Sequence, residues 1–210
     1  MEKCFDFRLK EGSSMLVCGP TMSGKSTFIH NLLKDTSIFE KAPSAVYWFY
    51  GGESAEGLSG KGYILRTGLP EHFLDIPNNS VVVLDDLMDE AKDHAGVTAL
   101  FTKLVHHRKL FVINITQIFF MNSKETRTRR LNTQYVLMFK NPSDVIQTHI
   151  IGRQMYPNNS NFLADVNRES TKCAHGYLFI DLIHETPEEY RIRSNILTHE
   201  FPIKIYKQAL

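Results

Sequence analysis

The 210-residue sequence predicts an α/β fold: a mostly parallel central sheet flanked by helices. Three observations carry this expectation. Short apolar runs alternate with amphipathic stretches along most of the chain. One run, VVVL at 81–84, is apolar without interruption, as a strand covered on both faces requires. The segment CGPTMSGKSTFIH (18–30) joins an apolar run to a helical pattern through a glycine-bearing loop.

Taken in order, CFDFRLK (4–10) alternates as a strand does and leads through a turn at Gly12 into a second strand, SSMLVCG (13–19). KSTFIHNLLK (25–34) places Phe28, Ile29, Leu32 and Leu33 on one helical face. SAVYWFYGG (44–52) is a buried strand by its β-branched and aromatic content, and GGESAEGLSGKG (51–62) reads as a long, mobile loop after it. NNSVVVLDDLMDEA (78–91) holds the central strand. GVTALFTKLVHHRK (96–109) is a helix with Val97, Leu100, Phe101, Leu104 and Val105 inward, and LFVINITQ (110–117) is the next strand. After the basic segment KETRTRRLN (124–132) come a strand, TQYVLMFK (133–140), and a helix over 141–157. That helix has Pro142 near its start and Ile146, Ile150 and Ile151 facing inward. SNFLADVNREST (160–171) makes a second helix, GYLFIDLI (176–183) a strand, and EYRIRSNIL (189–197) closes the sheet or pairs at its edge. No linker or repeat divides the chain, so residues 1–210 are expected to form a single domain.

Gly19, Gly24, Lys25 and Ser26 stand at the spacing G-x-x-x-x-G-K-[ST], the P-loop signature. Four fixed positions arise by chance in about one chain in a hundred of this size, and the strand and helix on either side make chance less probable still. The glycines let successive backbone N–H groups turn toward phosphate oxygens. The expected ATP-binding segment is therefore Gly19, Pro20, Thr21, Met22, Ser23, Gly24, Lys25, Ser26 and Thr27. Lys25 places an ammonium against the β and γ phosphates, and Ser26 offers a hydroxyl to the accompanying Mg2+.

Asp85 and Asp86 follow the central apolar run, at the end of a strand where α/β sheets bind ligands. The chemistry needs two carboxylates. Asp85 is the expected metal ligand with Ser26, and Asp86, or Glu90 one turn on, the base that orients the attacking water. The plainer reading is that both aspartates cap the following helix. Gln117 ends its strand where an amide can meet the γ phosphate or the lytic water; otherwise it caps a loop. With these parts in order the chain reads as a P-loop NTPase of the ASCE type.

A net charge of +1 gives no whole-molecule attraction to nucleic acid, so any DNA contact needs a local patch; near-neutrality also suits a protein acting on small molecules. Lys124, Arg127, Arg129 and Arg130, against a single glutamate, form the densest basic segment, either a solvated loop or a contact for phosphate. The HHRK segment at 106–109 suits a helix C-terminus, and two adjacent histidines make poor joint metal ligands. Three cysteines lie far apart, the N-terminal segment lacks a signal peptide's apolar stretch, and no run is long enough to span a bilayer. These features give an expectation of an intracellular chain with reduced thiols and no membrane.

In order, the P-loop, VVVLDD, LFTKLVHHRKLFVINITQ, RTRRLNTQYVLMFKNPSD, GRQMYP and GYLFIDL make the chain resemble the FtsK/HerA-type DNA-packaging ATPases. In particular it is similar to the poxvirus-like genome-packaging ATPases of Polinton (Maverick) elements and adintoviruses, over roughly residues 14–183. The resemblance implies a homo-oligomeric ring, a hexamer, that drives double-stranded DNA into a preformed capsid and contacts capsid proteins. Its place would be the host nucleus or a viral assembly site, transiently at the capsid vertex. By position, Lys25, Ser26, Asp85, Asp86 and Gln117 match the family's phosphate, magnesium, acidic and sensor residues. Arg127 matches an arginine that would reach a neighbouring subunit's ATP, with Arg153 second. The chain departs from the pattern at Ser143, where NPSD stands for NPRD, and at Ile118, where an asparagine is common. Two rival readings stay open from the residues: a small-molecule kinase, and a non-catalytic nucleotide-dependent capsid assembly factor, against which the intact acidic pair argues.

Overall fold

In the computed structural model, which describes residues 5–51, 57–120 and 123–208, the apolar runs become strands. They are β1 (Ser14–Cys18), β2 (Val46–Tyr50), β3 (Ile64–Thr67), β4 (Val81–Asp85), β5 (Phe111–Thr116), β6 (Tyr135–Phe139), β7 (Tyr177–Asp181), β8 (Ile192–Ser194) and β9 (Lys204–Tyr206). The helices are α1 (Lys25–Lys34), α2 (Met88–Ala91), α3 (Ala95–Ala99), α4 (Val105–His107), α5 (Lys124–Leu131), α6 (Ile146–Met155) and α7 (Phe162–Ser170). A π-helical stretch, Leu100–Leu104, joins α3 to α4.

All the strands share one sheet in the order β3-β2-β4-β5-β1-β6-β7-β8-β9. From β3 to β6 the pairings are parallel; β7, β8 and β9 add on antiparallel. β5 lies between the P-loop strand β1 and the acidic strand β4, the ASCE arrangement of a P-loop NTPase. The chain also crosses over β1 to reach β6, so the P-loop leaves the sheet at a topological switch point, where open α/β sheets bind ligands.

The period-2 geometry of strands explains why these runs are apolar on both faces. Met15, Val17, Trp48, Val81 and Val83 pack with Phe28, Ile29 and Leu32 of α1 on one face. On the other, Val82, Leu84 and Val112 pack against Val97, Phe101 and Val105, while Leu16, Cys18, Val136 and Met138 pack against Ile151, Leu163 and Val166. All four apolar residues expected on the inner face of α1 are buried.

Several expectations need correction. The strand expected over 4–10 is absent among its described residues: Leu9 makes only an isolated bridge to Phe39, and Cys4 lies outside the described residues. Residues 52–56 of the glycine-rich loop also lie outside them, but Leu58 is buried in the α1-side core, so the later part of that loop is packed. Ile146 is exposed and Ile150 half-buried, because α6 turns Gln147, Thr148, Ile151 and Gly152 inward instead. The basic segment is a helix, α5, and not a loop. Strands β3 and β9 had no counterpart in the sequence reading.

Candidate nucleotide site

The parallel register brings the expected site residues to one edge of the sheet. Cys18 lies level with Thr116 of β5 and Met138 of β6, and Asp85 with Tyr50 and Ile115. The P-loop, the acidic pair and Gln117 therefore leave neighbouring strands at the same end.

Two glycines are demanded by space and conformation. A Cβ on Gly19 would sit 2.8 Å from both Phe139 Cβ and Ser23 Oγ. Gly24 has φ +105°, and a Cβ there would lie 2.9 Å from His175 Nδ1. Between them Thr21 and Met22 are exposed, Met22 in the left-handed region with φ 62°. The Gly19 amide donates to Thr116 O at 3.3 Å and the Ser23 amide to Pro20 O at 3.2 Å, which folds the loop back on itself. Gly24 caps α1 without a side chain, so the first helical N–H groups, from Lys25 to Thr27, have no side-chain acceptor and suit an anion.

Lys25 Nζ donates to Gly19 O at 2.7 Å and Pro20 O at 2.8 Å, arching over the loop it is expected to serve. Burial depresses its pKa, while the charges of Cys18, Asp85 and Asp86 pull the other way, so both aspartates lie within its electrostatic reach. Ser23 Oγ is buried without a hydrogen-bond partner among the described residues. An orphaned hydroxyl, exposed helix N–H groups and a bent-back ammonium together fit the phosphates of a nucleotide.

Asp85 shares its face of the sheet with α1. Its Oδ2 accepts a 3.2 Å hydrogen bond from Nε1 of Trp48, the single tryptophan, on the adjacent strand. Burial raises the Asp85 pKa, the Trp48 bond and Lys25 lower it, and Asp86 raises it further. The partly desolvated Asp85 carboxylate, within electrostatic reach of Lys25, and the Ser26 hydroxyl on the first turn of α1 are hard oxygen donors of the kind that suits Mg2+. Trp48 is held in turn by a stack in which His30 lies 5.0 Å and Tyr63 5.3 Å from it.

Asp86 is exposed and adopts φ 53°, which aspartate tolerates better than most residues. Its carbonyl would meet a Cβ on Gly51 at 2.5 Å, so the end of β2 packs directly beneath it. The alternative base, Glu90, reaches toward the sheet edge: its Oε2 would lie 3.5 Å from a Cβ on Gly68, just beyond β3.

Gln117 is exposed one residue past β5, and its carbonyl accepts from Cys18 Sγ at 3.7 Å. The loop after it is tied to α6 by Gln147, whose Oε1 accepts from the Phe119 amide at 3.3 Å while its amide donates to Asp144. Ser143, where the resemblance has an arginine, closes an Asx turn with Asn141. Gln147, Trp48 and His175 are site residues that the sequence reading did not find. None of the three carried a signal in the sequence: Gln147 becomes an inner residue only in the phase that α6 adopts, with Thr148, Ile151 and Gly152.

The cations of α5 separate. Arg129 is buried, donating to Lys92 O at 2.6 Å and Glu125 O at 3.2 Å, and so anchors the helix. Arg130 lies over the rings of Phe119 and Phe120, at 5.6 and 4.9 Å. Lys124 and Arg127 are exposed, as is Arg153 on α6. No hydrogen bond or ion pair joins Arg127 or Arg153 to the P-loop among the described residues.

No family model matches the chain, and no curated protein matches it. Among solved structures, the DNA-packaging ATPase B204 of Sulfolobus turreted icosahedral virus aligns with a TM-score of 0.48 at 12% identity, over 96% of this chain and 100% of that one. The genome-packaging NTPase B204 of Sulfolobus turreted icosahedral virus 2, in complex with ATP-gammaS, aligns with 0.49 at 15%, over 94% and 98%. A KaiC-like protein of Pyrococcus horikoshii aligns with 0.38 at 14%, over 94% and 91%.

Lys25 supplies the first test of the site. Its ammonium rests on loop carbonyls and not in the core, so Lys25→Ala should keep its melting temperature. Losing one charge-assisted contact to phosphate, about 1.5–3 kcal/mol, should weaken ATP binding about 10- to 100-fold by calorimetry. Unchanged affinity and turnover in the folded variant would remove the P-loop from the mechanism.

Proposed function

We propose that this chain is the subunit of an ATP-driven motor that moves double-stranded DNA into a preformed capsid. The observation that carries this is the division of labour at the sheet edge. The P-loop, two carboxylates and a glutamine leave the sheet at one end, while Arg127 on α5 and Arg153 on α6 are exposed and make no hydrogen bond or ion pair to the P-loop among the described residues, so another copy could receive them. The order of motifs and the family resemblance they carry support the same reading.

In this mechanism the amides of residues 19–27 hold the ATP phosphates, and Lys25 leaves the Gly19 and Pro20 carbonyls to meet them. Magnesium, held by Ser26 and Asp85, would neutralise charge on the β and γ phosphates. Asp86 accepts the proton of the attacking water. Gln117 senses the γ phosphate, and the Gln147 bond to the Phe119 amide couples the loop behind it to α6. The ring, a hexamer in this reading, acts within the infected cell, on DNA and capsid proteins. No helix among the described residues is long and apolar enough to cross a membrane.

ATP hydrolysis with and without double-stranded DNA, measured beside solution mass, tests the proposal. A mass of several subunits and strong stimulation by DNA support the motor. A monomer that phosphorylates a nucleoside without DNA is a kinase, and one that binds ATP without hydrolysing it is an assembly factor.

A further inference from the structure

A cavity of about 130 Å3, room for several waters, opens beside the P-loop on the side of α1 away from Trp48. We propose that it receives the base of the nucleotide, an adenine, with the ring of His175 stacked across it. The inference rests on the nucleotide reading above and assigns the part of the ligand that the P-loop does not hold.

Position comes first. Gly24, the last glycine of the loop, forms one wall, so a group bonded to the phosphates through a ribose lies within reach. Next comes chemistry. Phe28, Phe139 and Tyr177 make an aromatic floor, with Phe28 and Tyr177 packed edge-to-face at 4.8 Å. Asn31, His175 and Glu200 supply the polar rim. A carboxylate in the lining disfavours another phosphate there, so the cavity suits a flat, uncharged ligand that offers N–H groups.

The lining is fixed before any ligand arrives. Tyr177 Oη donates to Glu200 and accepts the Ile196 amide at 2.8 Å, and Glu200 Oε2 also accepts the Leu197 amide at 3.2 Å. His175 stands exposed at the mouth, in the turn between α7 and β7, with φ 60°. A Cβ on the next residue, Gly176, would lie 2.4 Å from Ser170 O, which leaves that turn little freedom. His175 Nδ1 faces the Ser23 carbonyl at 3.1 Å; since a carbonyl only accepts, Nδ1 carries a proton, and the contact holds the ring beside the loop. The Glu200 carboxylate on the rim can accept from an exocyclic amino group at the base's edge.

Calorimetry with ATP and with inorganic tripolyphosphate, on wild type, His175→Ala and His175→Phe, tests this. Base stacking on an aromatic ring corresponds to about 5- to 100-fold in affinity. His175→Ala should lose that factor for ATP and keep its affinity for tripolyphosphate, while His175→Phe recovers part of the ATP affinity. An equal loss for both ligands overturns the proposal, because His175 then only supports the loop through Ser23. So does an unchanged ATP affinity in both variants. If wild type binds neither ligand, the nucleotide reading itself falls and the base site with it.

Discussion

Asp86→Asn should bind ATP as tightly as wild type and hydrolyse it about 10²- to 10⁴-fold more slowly, the usual range for loss of a general base. The amide cannot take a proton from water, yet it is nearly the same size. Asparagine also tolerates the left-handed backbone that residue 86 adopts, so the packing of its carbonyl over Gly51 is kept. Single-turnover hydrolysis beside equilibrium ATP binding separates chemistry from affinity. Glu90→Gln is the control. Its carboxylate lies toward Gly68 at the sheet edge and not toward Lys25, so this variant should turn over near the wild-type rate. Normal hydrolysis by Asp86→Asn with a collapse in Glu90→Gln would move the base one helical turn.

The parts of this site legible from sequence are those in which local pattern and function coincide. The α1 face follows from four apolar residues at helical spacing, and β4 from an unbroken apolar run, because a strand covered on both faces leaves no polar alternation. Helix α5 was illegible for the opposite reason. It carries no apolar stripe; what holds it is a reciprocal cap between Ser123 and Thr126 and the buried Arg129 donating to the Lys92 carbonyl, 37 residues earlier in the chain. Trp48 was hidden in the same way, since its indole reaches Asp85 across strands that the sequence separates by the same 37 residues. Ile146 misled because a helical period has several phases, and α6 chose the one that buries Gln147 and Thr148 in place of an isoleucine. The amide is satisfied there by Asp144 and the Phe119 amide, so burying it is no penalty.

If the chain assembles into the proposed ring, Arg127→Ala should leave ATP binding by isolated subunits nearly intact and suppress turnover in the ring by about 10³- to 10⁵-fold, the range for an arginine supplied in trans. The fold permits this division. Arg129 anchors α5 and Arg130 lies on two phenylalanines, its pKa pushed down by burial and then by the charge of Arg127. Arg127 is exposed on the same helix, and alanine is the best helix former, so the substitution removes a charge without unfolding its carrier. Mixing experiments locate the group. Arg127→Ala subunits keep Asp86, and Asp86→Asn subunits keep Arg127, so one interface of a mixed ring joins an intact base to an intact arginine. Activity should return there although each variant alone is inactive. If Arg127→Ala only weakens DNA binding and flattens its salt dependence, the residue contacts the DNA backbone, and Arg153 on α6 becomes the arginine to test. No rescue in rings verified to contain both variants would place the arginine's action within its own subunit.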